Sequence, residues 1–345
     1  MRLYLVHILR GGPRWIAIKI FITGATGFVG MNLANRLAQT DHEMYCLVRK
    51  ISRADTLKQL GATFIEGDVT DKPSILEGMQ GCDWVVNLAN IYSFWEPDRK
   101  IYKEVNVKGT RNVMECALEA GVSKVIHVSS LVIYGKPEDC PFTEDSEVGP
   151  VRFGEYARTK YEGDLIAWEL YKGKDLPLVM LYLGSVTGAG DPKPTGQWIN
   201  NAINGRIPVR FFENSILTYV HVGDVADSIV KALEKENNIG EKYLIGKPRL
   251  SIREVNELIS DVAGGPLPKM RLPDSLVMSS AAILTLLANI TRKPPALGMS
   301  IDQMRTIREG SQFDSSKSEK ELGITYTPIR TAIEEAIASF QSREH

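Results

Sequence analysis

The sequence predicts an α/β protein, in which a Rossmann-type, doubly wound parallel sheet is followed by a smaller C-terminal substrate-binding region. Three observations favour this fold: apolar strand-like segments alternate with helical ones, a glycine-rich turn follows the first strand, and the alternation stops near residue 184. Strands of a parallel sheet are covered by helices on both faces, so they are continuous apolar runs, as they are here.

The predicted elements follow one another in a regular strand–helix order. Strands are expected at residues 16–24, 43–49, 62–69, 82–89, 124–130 and 176–184. Helices are expected at residues 27–39, 71–79, 100–120 and 155–172. Residues 16–184 are therefore expected to form the Rossmann domain. Residues 185–345, which begin with a Gly- and Pro-rich stretch, are expected to be mainly substrate-binding, with residues 216–235 returning to the Rossmann domain.

Composition excludes some classes of partner. Lys and Arg total 41 against 42 Asp and Glu, so the net charge of −1 gives no electrostatic reason to expect nucleic acid. The four cysteines, at positions 46, 82, 116 and 140, form no C-x-x-C pair. They are expected to be free thiols in a reducing, cytoplasmic compartment, and no metal site is predicted.

Two apolar stretches need separate interpretation. Residues 1–15 are expected to be a flexible extension, because their apolar run is broken by His7 and no small-x-small cleavage site follows. Residues 276–290 contain Ser279, Ser280 and Asn289, and are too short and too polar to span a bilayer. A buried helix is expected there; a helix at the substrate mouth or at a membrane surface is the alternative.

The glycine-rich turn predicts a dinucleotide site. Gly24, Gly27 and Gly30 have the spacing G-x-x-G-x-x-G, directly after the first strand and at the start of the first helix. Small residues let the backbone approach a pyrophosphate, whose charge is met by backbone N–H groups and the helix N-terminus. A tight strand–helix turn without a ligand is the alternative, and the strand before and the helix after it favour dinucleotide binding.

This spacing resembles that of the extended short-chain dehydrogenases/reductases. The segments "GDVTD" at 67–71, "NLAN" at 87–90 and "NVKGTRNV" at 106–113 resemble the motifs of that family. The resemblance implies that Asp68 binds the adenine amine, that Val69 lines the ring and that Asn106 has a supporting role. The full set of cofactor residues that it implies is Gly24, Thr26, Gly27, Phe28, Val29, Gly30, Arg49, Lys50, Asp68, Val69, Leu88, Ala89, Asn90, Asn106, Ser129, Tyr156, Lys160, Leu183, Gly184, Ser185 and Val186.

The end of the second strand favours NADP over NAD. An acidic residue there would bind the ribose hydroxyls of NAD and repel a 2′-phosphate. Val48 occupies that place and is followed by Arg49, Lys50 and Arg53, which suit an added phosphate. A solvated cluster of charges is the alternative, and NAD stays possible.

Tyr156 and Lys160 are four residues apart and therefore share one face of a helix. A nearby lysine favours the phenolate and lowers the pKa of a tyrosine from its usual value near ~10, so the phenol can exchange a proton with a carbonyl or alcohol oxygen. Beside the glycine turn, the pair resembles the Y-x-x-x-K of short-chain dehydrogenases. The same resemblance implies that Ser130 holds the substrate oxygen and that Lys160 also binds the nicotinamide ribose.

Particular side chains narrow the reaction within this family. Leu131 and Val132 stand where the 4,6-dehydratases of nucleotide sugars carry an acid pair, so dehydration is not expected. Leu217 stands where nucleotide-sugar epimerases carry an arginine for the diphosphate, although Arg210 lies upstream and could replace it. Leu183 stands where the family has a proline beside the nicotinamide.

The loop at residues 90–98 carries three aromatic residues: Tyr92, Phe94 and Trp95. The family resemblance places this loop over the nicotinamide, so these residues, with Ser130, are predicted to contact an apolar or ring-containing substrate. Packing against the helices of the domain itself is the alternative.

Over residues 16–340 the pattern is similar to dihydroflavonol 4-reductase-like proteins and to the bacterial branch labelled hopanoid-associated sugar epimerase. The resemblance implies an NADP-dependent oxidoreductase that interconverts a small-molecule ketone and a secondary alcohol. An epimerase with internally recycled cofactor is the second hypothesis, and a cofactor-binding protein without catalysis is the third. Helices 100–120 and 155–172 match those that pair in dimers of the family, so a homodimer is expected.

Overall fold

The computed structural model describes residues 17–51 and 54–342. Its centre is a seven-stranded sheet in which every neighbouring pair is parallel, in the order β3-β2-β1-β4-β5-β6-β10. The strands are β1 (Lys19–Thr23), β2 (Glu43–Val48), β3 (Thr63–Glu66), β4 (Trp84–Asn87), β5 (Lys124–Ser130), β6 (Leu178–Leu183) and β10 (Lys242–Ile245). This order is that of a doubly wound Rossmann fold and confirms the predicted fold class.

Helices cover both faces of this sheet, and the side chains of the strands alternate between them. In β1, Ile20 and Ile22 belong to the apolar cluster on one face, whereas Phe21 belongs to the cluster on the other. The first face is covered by α1 (Phe28–Leu37) and α8 (Val222–Glu234), which pack against each other. The second face is covered by α3 (Lys72–Met79), α5 (Thr110–Ala120) and α6 (Glu155–Lys174). Burial on both faces explains why the strands are continuous apolar runs.

The predicted helix at residues 100–120 consists of three segments in the structure. The short α4 (Lys100–Tyr102) leads into a π-helical segment, Lys103–Gly109, and then into α5. The wide turn contains the buried Asn106, and α5 ends at Gly121, which has the left-handed conformation. A π-helical turn is typical of functional sites, and this one lies beside the loop at residues 90–98.

The C-terminal region adds two small sheets. The first contains β7 (Ser185–Thr187), β9 (Ile216–His221) and β11 (Arg249–Ser251), and the second pairs β8 (Val209–Arg210) with β12 (Met270–Arg271). Its helices are α7 (Pro194–Ile203), α9 (Ile252–Ala263), α10 (Asp274–Thr291), α11 (Ile301–Glu309), α12 (Ser316–Leu322) and α13 (Ile329–Gln341). The remaining short helix, α2 (Asp55–Gln59), belongs to the N-terminal half. Residues 216–235 therefore divide: β9 lies in a small sheet, and α8 returns to the Rossmann domain, as does the following β10.

Helix α10 departs from the expectation of a buried helix at residues 276–290. Only Val277, Ala281 and Ala288 are buried along it, and it is the one described helix that is long and apolar enough to cross a membrane, by length and composition alone. The prediction was wrong because a mostly apolar sequence does not indicate how many sides of a helix the protein covers. The predicted extension at residues 1–15 and the predicted phosphate residue Arg53 lie outside the described residues.

Candidate active site

A cavity of about 410 Å³ lies at the carboxyl ends of the parallel strands, where ligands bind in open α/β sheets. It extends from the end of β2 past the turn after β1 to the ends of β5 and β6. The residues that line it are Gly24, Thr26, Gly27, Phe28, Val29, Gly30, Leu47, Val48, Arg49, Gly67, Asp68, Val69, Leu88, Ala89, Asn90, Ile91, Tyr92, Val105, Val128, Ser129, Ser130, Tyr156, Leu183, Gly184, Val186 and Lys193.

The glycine turn has the geometry of a phosphate cradle. A Cβ at Gly24 would lie 2.8 Å from the backbone of Leu88 and Ala89, and one at Gly30 would lie 2.3 Å from the carbonyl oxygen of Gly24. Gly27 begins α1 without a side-chain cap, and no acidic residue occupies the first turn. The first N–H groups of α1 therefore face the cavity, where an anionic group satisfies them. These residues fit the pyrophosphate of a dinucleotide.

The far end of the cavity is formed by residues after β2 and β3. Arg49 lines it, whereas the exposed Lys50 does not. Asp68 also lines it, and its Oδ1 accepts hydrogen bonds from the amide of Thr70 at 2.9 Å and from its hydroxyl at 2.7 Å. Asp68 is thus held by its own turn at the position where the sequence analysis places the adenine.

The opposite end of the cavity brings Ser130 and Tyr156 together. Ser130 ends β5 and Tyr156 lies in the first turn of α6, and both line the cavity. Burial raises the pKa of Tyr156 above its ordinary value, and the nearby Ser130 hydroxyl acts in the opposite direction. The neighbouring Ser129 donates its hydroxyl to Oδ2 of Asp164 at 2.6 Å. Of the two adjacent serines, Ser130 is therefore the one associated with the tyrosine.

The pKa of Tyr156 is raised in this structure, whereas the sequence analysis expected Lys160 to lower it. The Lys160 side chain is buried, and Nζ donates a hydrogen bond to the carbonyl oxygen of Val128 at 3.0 Å. Burial lowers the pKa of Lys160, and the Asp164 carboxylate partly offsets this effect. The burial of the phenol outweighs the expected effect of the ammonium. Lys160 lies behind the cavity wall rather than on it.

A chain of buried polar groups runs beneath the site across three strands. The Thr23 hydroxyl donates to Oδ1 of Asn87 at 2.6 Å, and Nδ2 of Asn87 lies 3.0 Å from Nδ1 of His127. Nε2 of His127 lies 3.1 Å from Oδ1 of Asp164, and Oδ2 of the same carboxylate accepts the bond from Ser129. Burial lowers the pKa of His127, as does the nearby Lys160. A neutral His127 that accepts at Nδ1 and donates from Nε2 satisfies both partners.

The loop at residues 90–98, named here the aromatic loop, lies against Tyr156. The ring centroids of Tyr92 and Phe94 are 5.0 and 6.1 Å from that of Tyr156. Trp95 instead extends toward the C-terminal region, and its Nε1 donates to Oδ1 of Asn289 at 2.9 Å. Tyr92 therefore lines the cavity, whereas Trp95 contacts α10, which belongs to the C-terminal region and not to the domain of the loop itself.

Asn106 holds the aromatic loop in place. Its Oδ1 accepts from the amide of Ile91 at 2.7 Å, and its Nδ2 donates to Thr159 Oγ1 at 3.0 Å. Thr159 lies in α6, where its hydroxyl donates to the carbonyl oxygen of Glu155 at 2.7 Å. The bond from Asn106 therefore ties the loop to the helix that carries Tyr156. Asn106 does not line the cavity. Its contacts are those of a supporting residue.

Lys193 is a cavity residue that the sequence analysis did not select. Its Nζ lies 5.5 Å from the centroid of the Tyr92 ring. The Asp191 carboxylate accepts from the backbone amides of Lys193 and Gly196, both at 2.8 Å, and thereby holds the start of α7. Burial raises the pKa of Asp191 to about 6 and lowers that of Lys193. The only signal in the sequence was a lone cation in the Gly- and Pro-rich stretch after β6.

The structure brings most of the predicted site residues to this one cavity. Seventeen predicted cofactor residues line it: Gly24, Thr26, Gly27, Phe28, Val29, Gly30, Arg49, Asp68, Val69, Leu88, Ala89, Asn90, Ser129, Tyr156, Leu183, Gly184 and Val186. Four do not: Lys50, Asn106, Lys160 and Ser185. Among the predicted substrate residues, Tyr92 and Ser130 line it, whereas Phe94 and Trp95 line a smaller adjacent cavity with residues of α10 and α11. The roles of these residues stay predictions.

Arg210 is engaged elsewhere and does not line the cavity. Its guanidinium forms an ion pair with the buried Glu213 at 3.2 Å, and Arg271 pairs with the same carboxylate at 3.3 Å. Leu217, the other residue considered for diphosphate binding, is buried within β9 and pairs with Leu250 of β11.

The comparison with known families matches residues 20–246 to the model of the NAD dependent epimerase/dehydratase family. The chain belongs to this family. It is therefore an NAD(P)-dependent enzyme, and the glycine cradle at the start of α1 is the part of the cavity that fits the cofactor. Because the match covers β1 to β10, it includes the whole parallel sheet and every predicted catalytic residue.

Individual relatives match nearly the whole length of the chain. A protein of Synechocystis sp., provisionally named dihydroflavonol 4-reductase, is 30% identical over 95% of this chain and 96% of its own. Sterol demethylase protein B of Methylococcus capsulatus is 30% identical over 93% of this chain and 98% of its own. The crystal structure of gox2253 is 32% identical, with a TM-score of 0.80, over 95% of this chain and 99% of that chain. The family thus includes reductases as well as epimerases and dehydratases.

Proposed function

We propose that the protein is an NADP-dependent oxidoreductase that interconverts an apolar, ring-containing ketone and its secondary alcohol. The observation that carries the proposal is the position of Tyr156, which lies on the wall of the cofactor cavity beside Ser130 and against two aromatic rings. The names of two relatives, a dihydroflavonol reductase and a sterol demethylase protein, agree with an apolar ring-containing substrate.

Each polar residue has one task in this proposal. Tyr156 donates its phenolic proton to the carbonyl oxygen during reduction, or accepts the proton of the alcohol during oxidation. Ser130 donates a hydrogen bond to the same oxygen and stabilises its developing negative charge. Lys160 supplies a positive charge behind the site and is held in place by Val128. When bound, the nicotinamide cofactor supplies or accepts the hydride.

The surroundings of Tyr156 exclude water and favour an apolar substrate. Tyr92 and Phe94 contact its ring, and Leu183 and Val186 line the same end of the cavity. Nζ of Lys193 lies 5.5 Å from the centroid of the Tyr92 ring and suits a polar substituent of the substrate that lies away from the reacting carbon. A mostly apolar pocket with a few polar groups is typical of sites for small organic ligands.

The preference for NADP rests on Arg49. It follows the last residue of β2 and lines the cavity, and no acidic residue occupies the end of that strand. A guanidinium suits the 2′-phosphate because it can donate two parallel hydrogen bonds.

Epimerisation is the second candidate, and the family description supports it. In that reaction the hydride leaves and returns to the opposite face, so turnover produces no net change in nicotinamide absorbance. The ion pair between Arg210 and Glu213 counts against a nucleotide-sugar substrate, because it neutralises the upstream cation that the sequence analysis considered as a replacement for the missing arginine.

The test is a screen of apolar ketones and alcohols with NADPH/NADP and NADH/NAD, in which nicotinamide absorbance is followed for the wild type and for Tyr156→Phe. We expect the substitution to lower turnover by about 10²–10⁴-fold, since it removes the acid/base group. The affinity for NADPH, measured by calorimetry, should stay nearly unchanged. Near-normal turnover in Tyr156→Phe would contradict the assignment.

We also propose a homodimer in which α5 and α6 pair with their copies. The two helices pack against each other, and Leu165 on α6 exposes an apolar side chain that a partner would cover. Light scattering of the wild type and of Leu165→Glu tests this arrangement: a dimer that the substitution converts to a monomer supports it.

A further inference from the structure

Helix α10 carries two separate apolar stripes. One stripe, Val277 and Ala281, packs with Phe211, Phe212 and Met304 into an apolar cluster of the C-terminal region. These contacts fix the helix on the protein and leave its opposite side free. The helix therefore has a second apolar surface that no described residue covers.

The second stripe consists of large aliphatic side chains that are 50–70% exposed. These side chains are Leu276, Ile283, Leu286, Leu287 and Ile290. They recur at steps of three, four and seven residues, so they share one side of the helix, roughly opposite the buried stripe. Contiguous apolar patches of this kind mark sites of interaction with a protein or a membrane.

The charges around α10 indicate which of these surfaces it fits. Between residues 262 and 299 there are four cations, Lys269, Arg271, Arg292 and Lys293, against a single carboxylate, Asp274. They stand at the two ends of the helix, and only Arg271 forms an ion pair within the described residues, with Glu213. An apolar stripe flanked by cations fits the headgroup region of a bilayer that contains anionic lipid.

The position of the helix links this surface to the catalytic site. Asn289 accepts the hydrogen bond of Trp95 at 2.9 Å, and the aromatic loop continues from Trp95 to Phe94, whose ring contacts Tyr156. Thr285 of α10 lines a small cavity together with Phe94 and Trp95. The exposed stripe and the catalytic tyrosine are therefore connected by one short, packed segment.

We propose that α10 lies flat in the interface of an anionic membrane, with its aliphatic stripe at the acyl boundary and its flanking cations on lipid headgroups. The aromatic loop is then held at the membrane surface, where an apolar substrate can pass between the lipid and the cavity. This last step rests on the proposed function, whereas membrane binding does not. Because one side of α10 is packed on the protein, the helix lies on the membrane and does not cross it.

Vesicle flotation of the full-length protein tests the proposal, with phosphatidylcholine vesicles that contain or lack phosphatidylglycerol. We expect the wild type to float with the phosphatidylglycerol vesicles and to be released by salt. The double variant Ile283→Ser/Ile290→Ser should bind at least about tenfold more weakly. The double variant Arg292→Gln/Lys293→Gln should lose the preference for anionic lipid. Ile239→Ser, which changes an exposed isoleucine away from α10, should float like the wild type.

Four outcomes would overturn the proposal. If the wild type floats with neither kind of vesicle, or if the serine double variant floats like the wild type, the aliphatic stripe does not bind the membrane. Protein that resists extraction by alkaline carbonate would be a spanning protein instead. If the wild type does not float and the serine substitutions convert an oligomer to a monomer, the stripe is an interface between copies of the chain. Reduction of a water-soluble ketone should be equal in all variants, so a failure of the proposed chemistry is seen separately.

Discussion

The hydroxyl of Ser129 donates to Oδ2 of Asp164 across 2.6 Å, and this bond separates the tasks of two adjacent serines. Ser129 satisfies a buried carboxylate, whereas Ser130 stays beside Tyr156 on the cavity wall. We predict that Ser130→Ala lowers turnover by about 10²–10³-fold, because a donor to the substrate oxygen is lost. Ser129→Ala should lower turnover much less than Ser130→Ala, because the Ser129 hydroxyl is already bonded to Asp164, and should lower the free energy of unfolding by about 1–3 kcal/mol. Steady-state kinetics and urea denaturation measure the two effects, and an equal loss of turnover in both variants would contradict this division.

The ionisation of Tyr156 is expected to occur above the ordinary tyrosine pKa in the cofactor-free protein. Burial disfavours the phenolate, so the folded state holds the proton to a higher pH than the ordinary tyrosine pKa of about 10. Ultraviolet difference titration of the wild type and Tyr156→Phe should therefore show no difference in tyrosinate absorbance below pH 10. A group that titrates below pH 10 in the wild type and is missing in the variant would show that the effect of Lys160 on the pKa of Tyr156 exceeds that of burial.

Charge reversal at Arg49 is expected to change the choice of cofactor. We predict that Arg49→Glu raises the KM for NADPH by about 10–100-fold, the amount that corresponds to one charge-assisted hydrogen bond, and leaves the KM for NADH nearly unchanged. Lys50→Glu is the matched control, because it makes the same charge change at a residue outside the cavity lining. If both variants raise the KM for NADPH equally, the effect is that of general charge and Arg49 has no specific contact.

Gly30 should not tolerate a side chain. A Cβ there would lie 2.3 Å from the carbonyl oxygen of Gly24 and 2.7 Å from Cα of Ala25, both on backbone that cannot move aside. We predict that Gly30→Ala lowers the free energy of unfolding by about 1–3 kcal/mol and also weakens cofactor binding. Gly173→Ala, in α6 where a Cβ would meet nothing within 4 Å, should instead be neutral or stabilising by up to about 1 kcal/mol. Thermal denaturation and cofactor titration of both variants provide the comparison.

The parts of the site that could be predicted from the sequence depend on local spacing. Gly24 and Gly30 belong to one turn, and Tyr156 and Lys160 to one helix, so their relative positions follow from the chain itself. Lys193 could not be found in this way, because the fold of β7 and the start of α7 carries it to a cavity built mostly from residues before 187. Its neighbour Tyr92 is about a hundred residues away in sequence.

The same limit explains the errors on larger elements. The four residues of β10 complete the parallel sheet although they are too few to show a strand pattern, since their position is fixed by pairing with β6. Helix α10 was expected to be buried because its composition is mostly apolar, and composition does not say which side meets the protein. The lowering of the Tyr156 pKa was expected from charge alone, whereas burial, a property of the folded chain, has the larger effect.

The polar chain from Thr23 through Asn87 and His127 to Asp164 has a consequence for how the protein can be recombined with its relatives. Each member is buried and is satisfied mainly by the next, so a single exchange leaves a neighbour without a partner. The four residues must therefore be exchanged together, although they span more than a third of the chain. Chimeras should be joined before residue 23 or after residue 164, so that all four residues come from the same parent protein.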